Sequence, residues 1–101
     1  MVDIVRREWQ EGHAALEAAR SDRARYERLL ALVDVVLAEL RKRVGQTFTL
    51  AELVRAYGDA DRWAREAVAD ADPPRGWPRD LSLVTGAAFH AYARGAVDYR
   101  P

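Results

Sequence analysis

The chain has 101 residues, with 16 basic and 16 acidic side chains for a formal net charge of zero, and no cysteine. That length supports one domain with a real core but not comfortably two. Charge balance removes any overall field toward nucleic acid or an anionic membrane, and the missing thiols exclude disulfides, thiolate metal sites and cysteine nucleophiles. Among the basic residues only Lys42 is a lysine, an arginine preference that points to GC-rich coding before it points to recognition chemistry. No apolar run approaches the roughly 20 residues that span a bilayer. Asp3 stands where a leader would be basic. The expectation is a soluble, cytoplasmic protein, with residues 1–101 forming a single helical domain.

Taken in order, residues 2–44 read in sevens as one hydrophobic seam. Val2, Val5, Trp9, Gly12, Leu16, Ala19, Arg23, Tyr26, Leu30, Val33, Leu37, Leu40 and Val44 are spaced alternately by three and four, a coiled-coil register. As one helix this would be a rod of roughly 60 Å at about 1.5 Å per residue. Leu29, Leu32 and Val36 widen the stripe only in its second half, so that half is expected to floor the core and the first half to offer a narrow face to another helix. Ser21 and Asp22 offer caps for a new helix at the middle, but the heptad phase runs across Arg23 unshifted, which favours continuity. Arg41, Lys42 and Arg43 complement the dipole of the last turn, and Gly45 supplies the stop.

Thr49 and Glu52 have the spacing of a capping box, flanked by Phe48 and Leu53 as a hydrophobic staple. Short helices are expected over residues 50–57, closed at Gly58, and over 60–71, with Trp63, Ala67 and Ala71 on one face. The prolines and Gly76 between residues 72 and 79 make a stiff connection anchored by Trp77. A last helix over 79–94 carries Leu81, Val84, Ala88, Ala91 and Tyr92 on one face. Its small Gly86-Ala87-Ala88 centre invites close approach of the long helix, on that helix's wide half. Val97 and Tyr99 are candidate anchors of the tail. The fold class is all-α: a long N-terminal coiled-coil-like helix with three shorter helices packed on its C-terminal half.

Function rests on surfaces rather than on a catalytic motif. His13 and His90 are too far apart in sequence to form a spaced ligand pair, and no glycine-rich phosphate loop or nucleophile elbow occurs. The expectation is therefore no enzyme, no metal and no cofactor. A helix pair around Gly58 suggests a helix-turn-helix. Asp59 and Asp61 would then face phosphates, and only Arg62 and Arg65 offset them, against the need for net phosphate neutralisation. The alternative DNA-binding set is Arg41, Lys42, Arg43, Arg62 and Arg65. Arg20, Arg23, Arg25 and Arg28 concentrate positive charge mid-rod as a docking patch for an acidic partner, and a charge on the seam at Arg23 is costly unless paired. The leading expectation is a non-catalytic protein-interaction module, a small adaptor or regulator, with the transcription machinery as one setting. Its partner-binding residues would be Val5, Trp9, Leu16, Arg20 and Arg23. Self-association through that seam would be antiparallel, because a parallel pair juxtaposes Arg23 with its own copy.

Two stretches, residues 39–53 (ELRKRVGQTFTLAEL) and 76–81 (GWPRDL) with 87–99, resemble a group of small helical actinobacterial proteins of uncharacterised function. The resemblance implies a cytoplasmic bacterial protein and supplies no catalytic residues.

Overall fold

The computed structural model describes residues 2–95. Val97 and Tyr99 lie outside them. The first helix, α1, is Val2–Ala18, followed by a 3₁₀ turn at Ala19–Ser21 and by α2 at Arg23–Arg43. The remaining helices are α3, Leu50–Asp70, and α4, Trp77–Gly95. All regular structure among the described residues is helical.

The expected long helix is thus two. Asp22 is extended at φ −110° and ψ 94°, and its side chain accepts from the backbone N–H of Arg25 to start α2. Its own N–H donates to the Ala19 carbonyl at 3.0 Å. The largest extent of the molecule is 35 Å, well short of the rod. Two separately amphipathic helices can carry one heptad phase across a turn by coincidence, and the buried faces show that they do. In α1 the buried positions are Trp9, Gly12 and Leu16; in α2 they are Leu29, Leu32, Val33, Val36 and Leu40, while the seam residues Leu30 and Leu37 are only half-buried. The wide stripe of α2 does floor the core.

The expected stop at Gly58 is also absent, because α3 runs straight through it. An added Cβ at Gly58 would meet nothing within 4 Å. A mid-helix glycine costs about 1 kcal/mol. That is less than the burial held by keeping Leu53, Ala60, Trp63, Ala64 and Val68 on one rigid face. Gly58→Ala should accordingly stabilise the protein by about 0.5–1 kcal/mol, seen as a higher urea midpoint. The start of α3 follows the sequence closely. Thr49 accepts from the Glu52 N–H, the Glu52 carboxylate accepts from the Thr49 N–H, and Phe48 and Leu53 are both in the core. Gly45, at φ +84°, closes α2 as expected.

At the centre lies α4, not the N-terminal helix. It packs against α1 most extensively, then against α2 and α3. Residues 84–89 are six consecutive buried positions, the pattern of a helix covered all round. The one polar group there, the Thr85 hydroxyl, donates back to the Leu81 carbonyl at 2.8 Å. Phe89, fully buried, is the aromatic hub: its ring lies 5.5 Å from Trp9, 5.0 Å from Tyr57 and 6.0 Å from Trp63. The small centre of α4 receives α1 rather than the wide half of α2. Gly12 and Gly86 meet there so closely that a Cβ on Gly12 would fall 2.6 Å from the Ala87 nitrogen. Of the expected apolar face of α4, Leu81, Val84 and Ala88 are buried and Tyr92 is half-buried, but Ala91 is exposed.

Candidate interaction surface

Because α1 lies on α4, the seam expected to meet a partner is already covered. Trp9 is 2 % and Leu16 7 % exposed, and Val5 is half-buried against the same core. Arg20 and Arg23 point outward and pair within their own turns, Arg20 with Glu17 at 3.0 Å and Arg23 with Glu27 at 3.1 Å. Arg20 also lies over the Tyr26 ring at 5.7 Å. The Arg23 side chain is 90 % exposed, so it is no buried charge specifying a register. The five residues do not form one outward face. Ile4, 63 % exposed, is the large hydrophobic side chain left open among the described residues.

The alternative nucleic-acid set is partly gathered. Lys42 and Arg43 both reach the Glu39 carboxylate, at 3.4 and 3.3 Å, and Arg65 pairs with Asp61 at 3.4 Å. Arg43 also lies over the Trp63 ring at 5.0 Å. Arg43 and Arg62 meet in an open groove of about 310 Å³ between the end of α2 and α3, where Arg55 joins them. Glu52 and Asp59 line the same groove, leaving one net positive charge among five ionisable side chains. With α3 continuous, the turn that a helix-turn-helix requires is missing from this region.

A second concavity brings together residues distant in sequence. At the start of α2 and the start of α4, Arg25, Arg28, Arg75 and Arg79 surround a crevice of about 30 Å³ with Asp80 as the lone acid. The connection from α3 to α4 shapes it through positive φ at Asp72 (53°) and Gly76 (85°). Asp80, only 14 % exposed in its side chain, accepts from Arg25 at 3.4 Å and lies 4.0 Å from Arg79. Half of the mid-rod arginine patch therefore goes to this crevice, Arg25 and Arg28, and half turns away, Arg20 and Arg23. The contribution of Arg75 and Arg79 has no short-range sequence signal, since only the packing of α4 on α2 places them there.

The two histidines come together as well. His13 on α1 and His90 on α4 stack with ring centroids 4.2 Å apart and planes at 17°. Among the described residues no three His, Cys, Asp or Glu side chains share a metal-sized space. Burial, then the neighbouring His13 and Arg94, hold the His90 imidazole below its ordinary pKa. The folded state thus binds fewer protons than the unfolded chain once pH falls below about 6.5. This contribution to stability is intact above that pH and is lost as pH falls through the depressed value. The effect is modest, since His90 is only partly buried. Thermal melts between about pH 7.5 and pH 5 should decline less for His90→Gln than for the wild type, and an identical decline would show that the stack has no electrostatic consequence. Tyr57, on α3, ties α1 from the other side by donating to Glu8 at 2.8 Å. Its phenol is pushed well above its ordinary pKa by burial first and by the Glu8 hydrogen bond second.

No helix among the described residues is long and apolar enough to cross a membrane. Comparison with protein-family models, with curated proteins and with solved structures finds no match to this chain.

Proposed function

We propose that this chain is a non-catalytic protein-interaction module, a small adaptor or regulator that works through charged surface rather than through an apolar seam. One observation carries the reading. Apart from Ile4, the helices cover each other's large apolar side chains among the described residues, while arginines collect around two surface concavities of a chain whose formal net charge is zero. Local arginine clusters steer acidic partners into register. A DNA-binding reading draws on the meeting of Arg43, Arg55 and Arg62 in one groove. Glu52 and Asp59 in that groove oppose it, because a DNA surface must neutralise phosphates on balance.

Two measurements test the proposal together. Affinity capture after cross-linking in the native cell should return a specific protein. Titration into labelled duplex should show no binding at low salt. A duplex complex that weakens steeply with added salt, with no captured protein, would overturn the reading in favour of the DNA regulator.

A further inference from the structure

We infer that the crevice between the start of α2 and the start of α4 is the docking point, and that its occupant is an acidic segment of a protein partner that presents a carboxylate side chain. This rests on the interaction-module reading and gives it a surface and a partner chemistry. Four arginines and one aspartate line the crevice, a net charge of +3 on a chain with none overall. The aspartate is already taken up by Arg25 and Arg79. Arg28 and Arg75 form no ion pair among the described residues, and both are exposed. Planar guanidinium forks without partners match a carboxylate in two parallel hydrogen bonds.

Size and lining narrow the ligand. The crevice is narrow, about 30 Å³, so it excludes a metabolite and leaves the exposed Arg28 and Arg75 to meet an anionic group at its rim. Trp77, half-buried, borders the charges, while Leu29, 1 % exposed, belongs to the core, so the crevice recognises charge rather than apolar surface. A nucleic-acid strand would need several phosphate contacts along a strip. At the start of α4 the N–H groups of Trp77 and Arg79 are already bonded to the carbonyls of Pro74 and Gly76 at 3.3 and 3.2 Å, and Pro78 has none.

The test uses the full chain and a fluorescein-labelled peptide repeating Glu-Leu-Asp-Phe, with the matching Gln-Leu-Asn-Phe peptide and a labelled duplex as further arms. Fluorescence anisotropy should show salt-sensitive binding of the acidic peptide alone. Arg28→Glu with Arg75→Glu should weaken it at least about tenfold, the scale of one lost charge-assisted contact. Arg28→Gln with Arg75→Gln should weaken it less, and Arg6→Glu with Arg7→Glu on α1 should leave it nearly unchanged. All of these side chains are exposed, so unchanged thermal melts certify the fold of each variant. The inference is overturned by failure of the acidic peptide to bind, by equal binding of the amide peptide, by an equal loss in the α1 variant, or by tighter binding of the duplex. The same reversed variant used as bait separates the two levels. A partner captured equally well by it keeps the module reading and removes the crevice, whereas a wild-type bait that captures nothing removes the module reading itself.

Discussion

Replacing Trp9 and Leu16 together with alanine is expected to unfold the protein rather than to release a partner from it. Both side chains lie in the shared core, and Trp9 packs on Phe89 at 5.5 Å and edge-on to Tyr57 at 5.7 Å. Truncating a buried tryptophan costs about 3–5 kcal/mol and a buried leucine about 2–5 kcal/mol. The sum, roughly 5–10 kcal/mol, is comparable with the whole stability of a typical domain at about 5–15 kcal/mol. Far-ultraviolet circular dichroism should therefore show lost helicity or a melt shifted far downward. A variant that kept its melt and changed only its solution mass would restore α1 to the role of an open contact helix. Trp9→Phe refines the test. The Trp9 indole N–H is buried without a hydrogen-bond partner among the described residues, and an orphaned donor costs about 1–3 kcal/mol. Phenylalanine removes that donor while keeping a ring against Phe89, so its loss of stability should be much smaller than that of alanine.

Local chemistry was readable where it is local. The capping box at Thr49 and Glu52, the stop at Gly45 and the wide stripe of Leu29, Leu32 and Val36 each depend on residues within a turn or two of one another, and each is present. Continuity was not readable. The turn at Ala19–Ser21 leaves the heptad phase intact, and its local marks, the Ser21-Asp22 cap and the charge of Arg23 on the seam, were outweighed by the long periodicity. At Gly58 the error ran the other way: a glycine that looks like a terminator sits exposed in α3 because the flanking apolar face must remain on one helix to pack against α4. Tertiary burial overrides propensity in both places. The arginine crevice was half legible, through Arg25 and Arg28, because Arg75 and Arg79 reach it only by the packing of α4 against α2. Phe89 carried no special mark in the sequence. Its importance comes from the three rings that other helices bring to it.

Gly12→Ala, a single methyl group, is expected to have the second largest effect. A Cβ there would lie 2.6 Å from the Ala87 nitrogen, 2.7 Å from the Leu83 oxygen and 2.9 Å from the Gly86 carbonyl carbon. All three are backbone atoms of α4 and cannot rotate aside. Ordinary contact near 3.5–4.0 Å returns only if α1 withdraws by on the order of 1 Å. That movement loosens Trp9 and Leu16 on the same face and the His13 stack beside it. Overpacking of this kind costs about 1–3 kcal/mol or more, against a gain of at most about 1 kcal/mol from replacing a helical glycine with alanine. Gly86→Ala should be milder, because its nearest neighbours are the Glu8 carbonyl oxygen at 2.9 Å and the Gly12 Cα at 3.4 Å. Gly58→Ala should have the opposite sign, so urea midpoints should rank Gly58→Ala above wild type, then Gly86→Ala, then Gly12→Ala. A Gly12→Ala protein as stable as wild type would mean that α1 does not cross α4 at this point. The double variant Gly12→Ala, Gly86→Ala should cost less than the sum of its parts, since one withdrawal of α1 clears both methyl groups and residues sharing a contact are not additive.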